Sequence, residues 1–432
     1  MQSPVLKFSR STFVIAAMAA LLLATSCSRR DDQAAQAAAV TVFEGARLIV
    51  GDGSEPVENA MFIVQDGRFT AVGQGVSVPA GAARVNLAGK TVMPAIIDTH
   101  KHLAVMRESL IDQLQHLAYY GIGVAASLGQ DTGDVAFQVR EETIPNAARL
   151  RTAGRGITMP EPGRTEAPYW VRNEAEARRA IQELAARRVD LVKIWVDDRD
   201  NMYTKLSPAL YGAIIDEAHK NNLRVTAHIF DREDAKGLLR AGVDAFAHGV
   251  RDRDIDEETI GLFRDHPNIF LVPNLPDRGV AADLSWLAES IPAQELQRLQ
   301  AESTDRPAQQ RTFGIQARNL ARLNTAGVRI ALGTDGSTPW AAHAEMADMV
   351  AAGMTPSQVI TAATRNSAEL LRLSDVGTVQ AGKSADFIVL DANPLDDIAN
   401  TRRIAAVYLR GTSVDRAALR ARWMSATPSQ AQ

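Results

Sequence analysis

A single cysteine, Cys27, occurs in the sequence, so no intramolecular disulfide can staple the fold. Lysine is scarce as well, with eight residues against 39 arginines, and a lysine in an unusual setting is therefore conspicuous. Aromatic residues supply only 5% of the 432 positions, while 46% are hydrophobic and 23% charged. That balance excludes bulk disorder and leaves ample apolar material for a core. Positive charge is not in surplus: 47 basic and 51 acidic side chains give a net charge of -4. A broad cationic surface for a phosphate backbone is thereby excluded, and no nucleic-acid partner is expected. Long hydrophobic runs are missing too. The most apolar stretch, Phe13 to Leu23, is shorter than the roughly 20 residues that a spanning helix needs.

That stretch reads as targeting rather than fold. Lys7 and Arg10 precede it, and Ala24, Thr25 and Ser26 lead from it to Cys27, in the order of n-region, h-region and processing site of a secretory signal. A cysteine directly after small residues resembles the bacterial lipobox, although Ala24 stands where an aliphatic residue is usual. The resemblance implies a lipoprotein signal peptide over residues 1–27, lipidation of Cys27, and anchoring in a membrane. Ser28 then permits sorting to the outer membrane, with the protein facing the periplasm; simple cleavage of the signal is the alternative. The Ala- and Gln-rich residues 28–39 read as a flexible tether.

From Val40 onward the pattern is short alternating strands with Gly-rich turns, at Thr41 to Val50, Ala60 to Gln65, Phe69 to Gly73 and Lys90 to Met93. Apolar strands then alternate with helical stretches eight times. The strands are Ile96 to His102, Val124 to Ser127, Leu150 to Ala153, Leu191 to Val196, Arg224 to Ile229, Ala245 to His248, Ile269 to Pro273 and Arg329 to Thr334. Such a series predicts an α/β fold, a (β/α)8 TIM-like barrel over residues 94–374, ringed by helices such as Glu174 to Arg188 and Gly314 to Ala326. Strands resume at Asp386 to Leu390 and Ile404 to Leu409. Residues 40–93 and 375–414 are therefore expected to form one small β-sandwich domain from both chain ends, with 415–432 as a C-terminal tail. The stretches Gly156 to Tyr169 and Pro276 to Arg306 are long for barrel connections and read as loops that shape specificity.

Catalytic groups of a barrel sit at the C-terminal ends of its strands. The first strand ends Ile-Asp-Thr-His-Lys-His, and alternation puts His100 and His102 on one face, with Lys101 on the other. Two imidazoles so placed can share a metal. Lys193 falls inside the apolar run Val-Asp-Leu-Val-Lys-Ile-Trp-Val, where an unpartnered ammonium would cost several kcal/mol or lose its proton. His228 closes Val-Thr-Ala-His, His248 closes Ala-Phe-Ala-His, and Asp335 closes Ala-Leu-Gly-Thr-Asp. Each residue alone reads as a core or ion-paired group; together they place metal-type ligands at five of eight strand ends.

This set resembles the amidohydrolase superfamily of metal-dependent hydrolases, in its imidazolonepropionase-like and Xaa-Pro-dipeptidase-like branch. The marks are Val-Met-Pro-Ala-Ile-Ile-Asp-Thr-His-Lys-His, the strand lysine, the two single histidines, the terminal aspartate, and Gly-Lys-Ser-Ala-Asp-Phe-Ile-Val-Leu with Asn-Pro-Leu near the C-terminus. The resemblance implies two divalent metal ions. His100, His102 and Asp335 would bind one, His228 and His248 the other, and Lys193 would bridge them as a carbamate. Ala95 and Lys101 depart from the family, which usually has glycine and a smaller residue there. Lys101 is expected to reach outward between strand and helix, to a partner that the sequence does not reveal.

Imidazoles and carboxylates suit zinc, with iron or manganese open. Two such ions would hold a hydroxide, polarise a carbonyl and stabilise an oxyanion, and Asp335 is the candidate general base. The expected activity is hydrolysis of C–N bonds in small dipeptides, N-acyl amino acids or cyclic amides. Ester, lactone or xenobiotic-amide hydrolysis is the alternative, and a non-catalytic metal-binding lipoprotein a further one. A substrate carboxylate would need a cation, for which Arg199, Arg251 and Arg253 are candidates, with Tyr203 as a hydrogen-bond donor and Trp195 as an apolar wall. Solvated loop charges and core packing are the rival readings of these residues. His116, His219 and His266 read as structural, whereas His343 stands close enough in sequence to Asp335 to be considered beside the site. A homo-oligomer is left open.

Overall fold

The computed structural model describes residues 40–425. The readings that concern residues 1–27, Cys27 and its lipid, the tether at 28–39, and residues 426–432 lie outside the described residues. No helix among the described residues is long and apolar enough to cross a membrane.

Alternating apolar residues make the first strands: β1 (Thr41–Leu48), β2 (Val57–Gln65), β3 (Arg68–Gly73), β4 (Ala83–Asn86) and β5 (Thr91–Pro94). The central series follows as β6 (Ile96–Lys101), β7 (Ile122–Ser127), β8 (Arg149–Thr152), β9 (Ile157–Thr158), β10 (Tyr169–Trp170), β11 (Val192–Val196), β12 (Val225–Ile229), β13 (Ala245–Ala247), β14 (Phe270–Val272) and β15 (Arg329–Ile330). The chain closes with β16 (Phe387–Leu390), β17 (Ile404–Leu409) and β18 (Thr412–Ser413). One sheet runs β18-β17-β16-β5-β1-β2-β3 with β4 on β1, so both ends of the described chain meet in it. The meeting is specified by side chains: Phe43, Phe62, Phe69, Phe387 and Tyr408 pack as one aromatic cluster, with Phe43 stacked on Phe62 at 5.0 Å and Phe387 on Tyr408 at 4.6 Å. A buried phenylalanine contributes about 1.5–3 kcal/mol, so a chain poor in aromatics invests several of them in joining its ends.

The central strands pair in parallel, as β6-β7-β8 and as β10-β9-β11-β12-β13-β14-β15, with helices between them. Their near-continuous burial is what strands covered on both faces require. The layout is α/β and TIM-barrel-like. Beyond β15 the chain runs alongside β6, where Thr99 N donates to Leu332 O (2.9 Å) and Asp335 N to His100 O (2.8 Å). On the other side Asp190 N donates to Thr152 O (2.9 Å), which links β8 to the stretch before β11.

Several expectations are corrected. The stretch Pro276 to Arg306 is no plain loop: it holds a helix at Ala293–Glu302, whose apolar Leu296 and Leu299 pack on the core. Gly156 to Tyr169 contains β9 and ends on β10, because Ile157 continues the pairing with Ile194. The residues counted as a tail include the helix Arg416–Ser425, whose Trp423 stacks on His116 at 3.4 Å. The short strands β4, β9, β10 and β18 lack the length to show as alternation. Ala95, where a glycine is usual, is accommodated because Gly123 faces it: a Cβ there would come within 2.8 Å of the Ala95 methyl.

Candidate metal centre

Strand alternation turns His100 and His102 toward the same side, and both reach Asp335. His100 Nε2 lies 3.2 Å and His102 Nε2 3.0 Å from Asp335 Oδ1, while His248 Nε2 lies 3.2 Å from Oδ2. Lys193 Nζ sits 3.2 Å from His100 Nε2, and the His228 ring centroid is 4.6 Å from that of His248. Donor atoms of His100, His248 and Asp335 all fall within 4.8 Å of one another. All six predicted ligands are thus neighbours. His248 and Asp335 have positive φ, +88° and +51°, and so does Asn274 at +42°. Each such non-glycine residue carries backbone strain, which collects at functional sites.

The donor set fits a divalent cation. Nδ1 of His102 and both ring nitrogens of His248 are buried without a hydrogen-bond partner. Buried polar atoms without partners are costly, and a cation would satisfy them. Burial, then the Lys193 charge, hold the His100 and His228 rings well below the usual imidazole range; burial, then His228, do so for His248. The rings are therefore neutral and able to ligate. Burial pushes the Lys193 ammonium down to about 7, against the pull of Asp335. For Asp335 burial acts upward but is outweighed by His100, His102, His248 and Lys193, so the carboxylate stays ionised.

Surrounding residues fix the rings. His100 Nδ1 donates to Asn274 Oδ1 (2.9 Å), which leaves Nε2 with the lone pair. His228 Nε2 donates to Asp197 Oδ2 (2.9 Å), leaving Nδ1. Sequence reasoning missed Asn274 and Asp197. Both stand just past a strand, Asn274 after β14 and Asp197 after β11, so the strand-end rule that found the histidines would have found them had it been applied to amides and to a second residue per strand. Glu345 was missed as well: its carboxylate accepts from Leu275 N at 3.1 Å, next to Asn274.

A cleft of about 110 Å³ opens beside the cluster, lined by His102, Thr158, Glu161, Trp195, His228 and Asp335 among others. Trp195 is a wall of it, wedged where Cβ atoms on Gly129 or Gly156 would come within 2.4 and 2.1 Å of the indole. Arg199 is at the site but engaged, bonded to Asp197, 3.1 Å from His228 Nε2 and 3.4 Å from Glu161 Oε1. Arg251 lies over Phe230, with Nε and Nη2 buried and unpartnered. Arg253 is exposed and paired with Asp252 (2.5 Å). Tyr203 donates its hydroxyl to Pro162 O at 3.2 Å. His343 does not face the centre: Nε2 donates to Tyr120 O (2.9 Å) and Nδ1 meets Thr401 Oγ1 (3.0 Å). His219 pairs with Asp244.

Known proteins are similar to this chain over most of its length. The chain is 26% identical to the ochratoxinase of Aspergillus niger over 422 residues, covering 84% of this chain and 83% of that one. The ochratoxinase crystal structure superposes with a TM-score of 0.68 at 23% identity, over 87% of this chain and 95% of that one. The imidazolonepropionase of Deinococcus radiodurans is 26% identical over 393 residues, covering 83% of this chain and 92% of that one. A Xaa-Pro dipeptidase structure shares the fold, with a TM-score of 0.70 at 20% identity over 87% of this chain and 99% of that one. The sequence profile described as "Amidohydrolase family" matches residues 91–414, and the chain accordingly belongs to the amidohydrolase family, as a hydrolase acting on carbon–nitrogen bonds.

Proposed function

We propose that the protein is a two-metal hydrolase of amide-like bonds in small substrates that carry a carboxylate, such as dipeptides, N-acyl amino acids or cyclic amides. His100, His102 and Asp335 would hold one ion and His228 and His248 the other, with Lys193 between them as a carbamate and zinc as the metal expected. When bound, the ions supply an activated water and a Lewis acid for the carbonyl oxygen. Asp335, ionised and within 3.2 Å of three imidazoles, takes the proton of the attacking water and passes it to the leaving nitrogen. Arg251 receives the substrate carboxylate: both arginines have Nε and Nη2 buried without a hydrogen-bond partner, but Arg199 is neutralised by Asp197 and Glu161, whereas no ion pair engages Arg251 among the described residues. Trp195 walls the cleft and limits the width of the group next to the scissile bond.

The observation that carries this reading is the convergence of His100, His102 and His248 on one carboxylate, with ring nitrogens that no protein atom satisfies. Elemental analysis should find two metal equivalents per chain, and a panel of dipeptides and N-acyl amino acids should include substrates, with lactones and aryl esters turned over more slowly. One equivalent, or a preference for esters, would sink it. The likeness to an ochratoxinase favours a second reading, a larger xenobiotic amide as substrate, which the same panel separates. The proposal also includes closure of the parallel strands into an eight-stranded barrel, a β-sandwich domain from residues 40–93 and 375–414, and export as a periplasm-facing lipoprotein through Cys27.

A further inference from the structure

Lys101 stands between two candidate ligands, and its side chain is wholly buried, as is that of Asp98. It does not reach outward between strand and helix. Nζ donates to Thr334 Oγ1 (3.0 Å) and to Thr338 O (2.9 Å), and lies 3.8 Å from Asp98 Oδ2. Thr334 Oγ1 in turn donates to Asp98 Oδ2 (2.8 Å), whose other oxygen accepts from His100 N (3.2 Å). One ammonium therefore grips both ends of the segment 334–338, and that segment contains Asp335. The backbone needs the grip: Asp335 has a left-handed φ of +51°, and the Thr334 and Asp335 amides both point at the same acceptor, His100 O, at 3.1 and 2.8 Å. A buried ammonium is costly without partners, and two oxygens and a carboxylate supply them. A smaller side chain at position 101 could not span from β6 to Thr338 O.

We propose that Lys101 is a positioning residue for Asp335, setting the carboxylate opposite His100, His102 and His248 by clamping Thr334 and Thr338. The inference rests on Asp335 being the proton-transferring group. Lys101 does not line the cleft, so its contribution falls on turnover and not on substrate capture.

The test compares the wild type with Asp98→Asn/Lys101→Met, which removes both buried charges together and so leaves neither unpaired, and with Thr334→Val, which cuts only the hydroxyl link. With zinc-loaded enzyme and the dipeptide that the wild type hydrolyses fastest, the double variant should lose about 100-fold in kcat with KM nearly unchanged. Amide hydrogen exchange, read on metal-free protein, should quicken about tenfold in the segment 334–338 and stay unchanged in β11 and β12. Thr334→Val should move both readouts in the same direction by less. Wild-type exchange and kcat in the double variant would overturn the proposal, because Lys101 would then only neutralise Asp98; so would a change confined to KM. If Asp335→Asn kept full activity, the assignment of Asp335 would fail, while the exchange result would still report whether Lys101 holds the turn.

Discussion

Two settings of buried histidine invite comparison, the cluster gathered around Asp335 and the single ring of His343. Both hold buried imidazoles, although the first opens on a cleft through Asp335, and burial lowers the basicity of His343, His100, His228 and His248 alike. The His343 ring is nonetheless complete, with Tyr120 O on one nitrogen and Thr401 Oγ1 on the other, between Tyr120 and Trp286. The Asp335 cluster is not complete: imidazole nitrogens remain without protein partners, and a lysine faces an imidazole lone pair. Burial and a displaced pKa are therefore common to a structural histidine and a ligand set. Unsatisfied donors converging on one point are what tell them apart.

The largest effect that sharpens this contrast is expected at Asp335. Asp335→Asn removes the proton acceptor while keeping the shape, and kcat should fall by about 10³-fold, within the usual contribution of a positioned base. Steady-state kinetics with metal content measured in parallel would check it, and normal turnover would defeat the assignment. Lys193→Ala comes next: the variant should fold but bind one metal equivalent or less, which elemental analysis after dialysis reads directly. His343→Gln should leave metal content untouched, and a loss of metal there would break the comparison. Arg251→Met should raise KM for carboxylate-bearing substrates about tenfold or more, the loss of a charge-assisted bond of ~1.5–3 kcal/mol, and leave neutral amides unaffected.

The difference between the two settings also explains what could be read from the sequence. Five of the six ligand-type residues were legible because they stand at or just past the C-terminal end of a strand, and the strand-end rule turns a one-dimensional position into a common face; Lys193, the second residue of β11, was legible as a lysine inside an apolar run. His343 misled because it starts the helix Ala341–Ala351 just after Asp335, and nearness along the chain says nothing about which side of a helix meets the site. Glu345, two residues further, faces Leu275 and Asn274 instead. Lys101 was expected to reach outward between strand and helix, but its partners Thr334 and Thr338 come from the far end of the strand series, and such long-range contacts leave no local pattern. The joining of the chain ends was legible as resumed alternation at Phe387 and Ile404. The helix Ala293–Glu302 was not, because it buries little of its surface and so carries a weak apolar stripe.

A further effect should appear in acid stability. Burial, opposed by the Tyr120 carbonyl, brings His343 down to about 4 in the folded protein, whereas an unfolded histidine titrates near ~6.5. Between those values the unfolded chain takes up a proton that the folded ring refuses. The neutral ring's contribution is thus fully present above about pH 6.5, is lost as pH falls toward about 4, and amounts to on the order of 3 kcal/mol over that window. His343→Gln lacks the titration. The variant should be less stable than wild type at pH 7, because a shorter amide cannot reach both Thr401 and Tyr120, yet its stability should decline less between pH 6.5 and 4. Denaturant unfolding of the two proteins at several pH values isolates the term, since the carboxylates that titrate in the same range are common to both. Parallel pH curves would mean that the ring is protonated in the folded state, and that satisfied hydrogen bonds do not keep this histidine neutral.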